Sequence, residues 1–149
     1  MNILDILLPD CVLPNMDCHS KKDALDTLAK TIANSDNSIS QTEIFDCLIA
    51  RERLGSTGLG NGIAIPHGRL KNGKKTIAAF IKLDAAIDYD AIDKVPVDLL
   101  FALIVPEDST DEHLQTLAAV AEMFSNEKTI RKLRRRYNSS EEIYSILTE

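Results

Sequence analysis

The chain has 149 residues, 44% hydrophobic and 27% charged, an ordinary globular composition with enough residues for one domain, 1–149, around its own core. A net charge of −6, the absence of Trp and only 5% aromatic residues argue against phosphate-backbone binding and base stacking, so no nucleic-acid partner is expected. The N-terminus is broken by Asp5, Pro9 and Asp10 and lacks a basic leader, no run approaches a membrane span, and three cysteines without a CxxC pair read as reduced thiols, which together predict a cytoplasmic protein with no membrane insertion.

In chain order, residues 2–8 can form a short helix with Ile3, Leu4 and Leu7 on one face, stopped by Pro9. Val12-Leu13 can add an edge strand. Ser20, with Asp23 three residues on, starts a helix carrying Leu25, Leu28, Ala29 and Ile32 at helical spacing. Residues 34–38 are turn chemistry. Ser40-Gln-Thr-Glu43 is a second capping box, opening a helix with Ile44, Cys47, Leu48 and Arg51 along one stripe. That helix should end near Leu54-Gly55, with the glycine in the C-cap role. Arg51 then stands in the last turn, where the helix dipole favours a cation.

All six glycines lie between Gly55 and Gly73, five of them between Gly55 and Gly68. Glycine loses the most conformational freedom on folding, so such a cluster implies tight turns or backbone close to a ligand. Within it, a β-branched run, Ile63-Ala64-Ile65, ends at Pro66 and presents His67. A basic turn, residues 69–75, follows, then a strand over Thr76–Leu83, a loop rich in acids over 84–96, and a nearly all-apolar strand, Val97–Val105, ended by Pro106. Ser109-Thr-Asp-Glu112 is a third capping box, with His113 in the first turn of its helix and Leu114, Leu117, Ala118, Ala121 and Phe124 as the buried stripe. Residues 128–136 are a basic helical stretch, and the serine pair before Glu141 opens a last helix with Ile143, Ile146 and Leu147. Helices flanking a few strongly apolar strands predict an α/β three-layer sandwich, a central mixed β-sheet with helices on both faces.

The glycine loop is not a nucleotide site. Gly55-x4-Gly60 is followed by Asn61 rather than Lys-Ser/Thr, and Gly58-x-Gly60-x-Gly62 has the wrong spacing for a dinucleotide fingerprint. No histidine pair has metal spacing, and Cys11, Cys18 and His19 make a weak set, so no metal is expected. His19, beside a helix cap, reads as an exposed residue. His67 differs, because backbone N–H groups of a glycine loop bind anions, and an imidazole among such donors can act as a nucleophile toward phosphorus.

The stretch Glu52-x6-Leu59-Gly60-x2-Ile63-Ala64-Ile65-Pro66-His67-Gly68 resembles the phosphohistidine signature of enzyme IIA domains of the fructose/mannitol class in the bacterial phosphoenolpyruvate-dependent phosphotransferase system. The run from Gly55 to Gly68, the segment from Ala91 through Pro96 to Leu103, and the His113-Leu114 pair are similar to the nitrogen-regulatory branch of that family, and the likeness covers essentially the whole chain. It implies an α/β sandwich and a phosphotransferase without cofactor. His67 would accept the phosphoryl group from a phosphohistidine of an HPr-like carrier. The family's habit is the tele nitrogen, although nothing in the residues themselves selects one. Arg51 matches the family's active-site arginine and His113 its second histidine, while Gly58, Gly60, Asn61, Gly62 and Gly68 would cradle the phosphoryl group. His67 must be neutral to attack, Arg51 would bind the phosphoryl oxygens, and His113, neutral at a helix N-terminus, would donate one N–H. The output would be regulatory, with potassium transporters or sensor kinases as partners. The rivals are a sugar-specific component that passes phosphate to a IIB domain, and a non-catalytic partner-binding switch. Glu107, Asp108, Asp111 and Glu112 either complement the helix dipole or steer a basic donor, and residues 131–136 form a solvated basic face or meet an acidic target.

Overall fold

The computed structural model describes residues 2–149. After a 3-10 turn at Ile3–Asp5 come β1 (Leu7–Met16), α1 (Lys21–Ser35), α2 (Gln41–Glu52), β2 (Gly58–Gly60), β3 (Ile63–Ala64), β4 (His67–Leu70), β5 (Ile77–Ile87), β6 (Val97–Pro106), α3 (Thr110–Met123), α4 (Glu127–Leu133) and α5 (Ser140–Thr148). The strand order is β1-β5-β6-β3-β2, with β4 also paired to β6. The sheet is mixed: β1 runs parallel to β5, β5 antiparallel to β6, β3 and β4 parallel to β6, and β2 antiparallel to β3.

Both faces of this sheet are covered, as the apolar β6 requires. Lateral partners in a sheet share a face, and residues an odd number apart along a strand point oppositely. Phe80 is the lateral partner of Phe101, and both rings meet Phe124 at the end of α3, with centroids 6.4 and 6.0 Å away. Gly68 pairs with Ile104, on the other face, and there it packs against Cys47 of α2. α1 covers β1 and β5 beside it, with Leu25, Leu28, Ala29 and Ile32 fully buried as their spacing predicts. The expected α/β architecture is therefore the observed one.

Local signals place the helix starts. Ser20 Oγ accepts from Asp23 N at 3.1 Å. Ser40 and Glu43 form a reciprocal capping box, and Ser139 and Glu142 form another. Ser109 precedes α3, yet among the described residues its side chain makes no capping hydrogen bond, so the third box does not form. The buried face of α3 is turned in part from the one expected. Phe124 is buried and Leu117 and Ala121 pack against the core as expected, but Leu114 is 62% exposed and Ala118 exposed, while His113, Thr116 and Val120 point inward. The apolar pattern in this helix admits two stripes, and packing on the sheet selects the one that carries His113.

Other departures have equally local causes. The N-terminal helix is only a 3-10 turn, and the chain becomes β1, running through Pro9 and Pro14. An edge strand tolerates proline, since a missing N–H can face outward. From Leu7 to Val12 the strand advances five residues where β5 advances two, a bulge that takes up Pro9. α2 ends at Glu52 with Arg53 as its C-cap, so Gly55 lies beyond the cap rather than in it. His67 follows β3 and Pro66 as expected but also begins a strand of its own, so Arg69 and Leu70 belong to β4 and the turn is left to Asn72 at φ 64. β5 extends to Ile87, and α4 stops at Leu133, before Arg134.

Candidate functional site

β6 is the rail on which the site is mounted. β3 and β4 lie along it one after the other, joined through Ile65-Pro66, whose Pro66 carbonyl still accepts from Leu103 N at 2.9 Å. His67 is the lateral partner of Leu103, two residues from Phe101, so it faces the α3 side of the sheet. There His113, in the first turn of α3, brings its ring to 5.4 Å from that of His67, centroid to centroid. Arg51 arrives from the opposite side, off the last turn of α2. The three meet in a pocket of about 390 Å³ whose wall includes Cys47, Leu54 and Gly68. A hollow of about 460 Å³ beside Asp36, Glu43 and Lys71 is larger but is lined by neither histidine nor cysteine.

The half-buried His67 has a defined tautomer. Its Nδ1 lies 2.8 Å from the Ile65 carbonyl. A carbonyl only accepts, so Nδ1 carries the proton and the lone pair of the neutral ring is on Nε2. Burial pushes the His67 pKa below the ordinary imidazole range, the Arg51 charge adds to this, and the Ile65 bond partly opposes it. The ring is thus neutral near pH 7. His113 is 6% exposed and its pKa is also lowered, first by burial and then by the charges of His67 and Arg69. Among the described residues nothing hydrogen-bonds its buried Nδ1. Charging the ring would put a proton there without an acceptor, so the neutral form with its proton on Nε2 is favoured. Arg51 Nη1 donates to the Gly55 carbonyl at 2.8 Å, leaving four of its five N–H groups for other partners.

Gly68 is required where it stands. A Cβ there would overlap Cys47 Sγ and lie 3.0 Å from the Cys47 carbonyl oxygen, so only glycine lets α2 come this close to β4 and deliver Arg51. Cys47 itself donates to the Arg69 carbonyl at 3.0 Å, and burial pushes its thiol up to about 11, which makes it a wall of the pocket rather than a nucleophile.

The remaining glycine-loop residues lie elsewhere. Gly60, Asn61 and Gly62 turn at the far end of β3, beside the start of β6. Asn61 N donates to Asp93 Oδ2 at 2.9 Å, and its carbonyl accepts from Arg134 Nη2 at 2.7 Å. Arg134 also grips Asp98 through two bonds, of 3.1 and 2.7 Å. Of the five residues expected to cradle a phosphoryl group, Gly68 alone lines the His67 pocket, while Gly58, Gly60, Asn61 and Gly62 do not.

Behind the pocket sits a buried polar cluster that the sequence reading did not assign. Glu52, 8% exposed, accepts from Thr57 N at 3.2 Å, from the Thr57 hydroxyl, from Tyr89 OH at 3.0 Å and from Lys21 Nζ at 2.8 Å. Tyr89 is fully buried, and its hydroxyl is held well above the ordinary phenol range by burial and by the Glu52 charge. One sequence signal pointed here: an acid at a helix C-terminus opposes the helix dipole and so calls for another partner. The Ile65 carbonyl had no such signal, since backbone roles leave none. Among the described residues no three His, Cys, Asp or Glu side chains are grouped to hold a metal ion, and no helix is long and apolar enough to cross a membrane.

A family model described as phosphoenolpyruvate-dependent sugar phosphotransferase system, EIIA 2, matches residues 5–149. A nitrogen regulatory protein of Pseudomonas aeruginosa is 44% identical over 144 residues, covering 97% of this chain and 93% of its own length. One from Klebsiella oxytoca is 41% identical over 150 residues, covering 100% of this chain and 91% of its own. The crystal structure of nitrogen regulatory protein IIA-Ntr from Neisseria meningitidis superposes with a TM-score of 0.90 at 40% identity, over 98% of this chain and 99% of that one.

Proposed function

Since the chain belongs to the EIIA type 2 family of the phosphoenolpyruvate-dependent sugar phosphotransferase system, we propose that it is a phosphocarrier that accepts a phosphoryl group on His67 Nε2 from a phosphohistidine of an HPr-like protein. Its output is regulatory: the two phosphorylation states are read by target proteins such as potassium transporters or sensor kinases. Similarity to nitrogen regulatory proteins along nearly the whole chain supports that half of the reading. One observation carries the chemistry: an imidazole with Nδ1 tied to a carbonyl and Nε2 left open beside a guanidinium and a second neutral histidine.

The transfer needs no external acid or base. The His67 Nε2 lone pair forms a bond to phosphorus as the phosphorus–nitrogen bond of the donor histidine breaks, and the donor ring leaves with that electron pair as neutral imidazole. His67 keeps its Nδ1 proton on the Ile65 carbonyl throughout, so the positive charge that develops on the ring is matched by a hydrogen bond already in place. Arg51 offers planar, charged donors to the equatorial oxygens, and His113 Nε2–H offers a neutral one. Such a reaction rests on positioning and charge neutralisation.

The rim suits a protein donor. Leu54 is 84% and Leu114 62% exposed, and Glu107, Asp108, Asp111 and Glu112 are exposed near the start of α3. An apolar contact set among acids fits a partner with an apolar, basic face, and it predicts docking that weakens with salt. The decisive experiment is incubation with phosphoenolpyruvate, enzyme I and an HPr-like carrier. Wild type should take up one acid-labile, base-stable phosphoryl group and His67→Ala none. Labelled His67→Ala would end the proposal.

A further inference from the structure

The cluster around Glu52 is wired to both halves of the His67 site. Two paths leave it. In the first, the clasp from Glu52 to Thr57 closes residues 53–56 into a tight turn, and within that turn the Gly55 carbonyl receives Arg51 Nη1 at 2.8 Å. In the second, Thr57, held by Glu52 through both its N–H and its hydroxyl, uses its own carbonyl to accept from Ile65 N at 3.0 Å. The Ile65 carbonyl is in turn the acceptor for His67 Nδ1. One carboxylate therefore anchors the group that orients Arg51 and the group that sets the His67 tautomer.

The anchor is tied from three parts of the chain. Lys21, the first residue of α1, reaches Glu52 Oε2 at 2.8 Å and also lies 4.5 Å above the centre of the Tyr89 ring. Tyr89, from the segment between β5 and β6, donates to Glu52 Oε1 and shares its hydroxyl with Thr57 Oγ1 at 3.1 Å. A buried carboxylate with this many donors holds one geometry, because every alternative leaves a buried polar group unpaired.

We infer that Glu52, clasped by Thr57, Tyr89 and Lys21, is a positioning residue for phosphoryl transfer: it aims Arg51 through the Gly55 carbonyl and keeps Nε2 of His67 open through Thr57 and Ile65. Glu52 touches neither the phosphoryl group nor the reacting nitrogen. This inference rests on the phosphocarrier reading of the same site, but its structural half does not. A small misplacement of reacting groups can slow a reaction by up to about 100-fold.

The test uses the whole chain with three variants: Glu52→Gln, Thr57→Val and Tyr89→Phe. Tyr89→Phe is nearly isosteric and removes only one donor, so it remains informative if Glu52→Gln folds poorly. Two quantities are measured well below each variant's melting temperature: the single-turnover rate of phosphoryl uptake from a stoichiometric phosphorylated HPr-like carrier, and the ¹⁵N signals of the His67 ring without any donor. Uptake should slow by roughly 10- to 100-fold in Glu52→Gln and less in the other two. The ring signals should move from a single Nδ1–H tautomer toward a mixture. Variants that merely melt earlier, with wild-type uptake and an unchanged His67 spectrum, would overturn the inference and leave the clasp a structural feature. If wild type took up no phosphoryl group while the variants still shifted the His67 tautomer, the phosphocarrier proposal would fail and the positioning role of the clasp would stand.

Discussion

Two glycine-bearing regions flank β3, and they serve different ends. At the His67 end, Gly68 is an absence of side chain that lets α2 approach the sheet, and through that approach Arg51 reaches the histidine pair. At the other end, Gly62 has φ 83, and a Cβ there would lie 2.5 Å from Arg134 Nη2 and 3.3 Å from the Pro96 carbonyl oxygen. The first glycine makes room for the helix that brings Arg51 to the proposed reaction site. The second makes room for a salt bridge between Arg134 and Asp98 that pins the turn to the sheet. A glycine-rich stretch beside a candidate site histidine thus need not be one phosphate cradle: each residue answers to whatever packs against it.

The largest effect that would sharpen this contrast belongs to Arg51. Arg51→Ala should cut the phosphoryl-uptake rate by roughly 100- to 1000-fold, the loss expected when a preorganised charged donor is removed. His113→Ala removes a neutral donor and should cost about tenfold. Circular dichroism should find both variants folded. Wild-type uptake kinetics in both would break the assignment of this end of the strand as the chemical one.

Next in size is a pair of alanine substitutions. Gly62→Ala should destabilise the protein by about 1–3 kcal/mol through overlap and backbone strain, read as a lower urea midpoint. Its uptake rate per folded molecule should match wild type. Gly68→Ala should destabilise by a similar amount and also slow uptake, because relieving the clash with Cys47 pushes α2, and with it Arg51, away from His67. If Gly62→Ala slowed transfer as strongly as Gly68→Ala, the two ends would not be functionally separate.

The smallest effect is a pH dependence confined to the histidine end. His67 and His113 have native pKa values lowered from about 6.5, the value that applies to them unfolded. As pH falls below about 6.5 the unfolded chain takes up protons first, so it binds more than the native state and stability declines. This contribution is complete above about 6.5 and is lost as pH passes down through the lower native values. Urea midpoints between pH 7.5 and 5.5 should therefore fall less in His67→Ala than in wild type. A steeper fall in the variant would refute the burial argument. The same shift keeps His67 unprotonated into mildly acid solution, so the acid limb of the uptake rate should lie below pH 6.5.

Much of this was legible along the chain. The capping serines Ser20 and Ser40 placed α1 and α2, and the all-apolar run Val97–Val105 announced a strand covered on both faces. These features depend on residues within a few positions of one another, and such signals survive in a linear string. The residue types at 51, 67 and 113 were likewise visible through their motif. Pro9 misled, because a proline stops a helix and is equally at home on a sheet edge, and only the position of β1 in the sheet distinguishes the two. The stripe of α3 misled because Leu114 and Ala118 fit a helical period as well as Thr116 and Val120 do.

Sequence alone determined where the main helices start and which chemical groups are carried: an arginine at the end of α2, a histidine after the glycine loop, another at the start of α3. Tertiary structure decided which of them meet. The register of β4 on β6 turned His67 toward α3 and Gly68 toward α2, and a shift of one residue would have exchanged them. It also decided which glycine faces the histidine, which imidazole nitrogen is free, and that Glu52 is buried among Lys21, Thr57 and Tyr89. Those outcomes depend on contacts between residues far apart in the chain, whose pairing is settled only when the sheet packs against its helices.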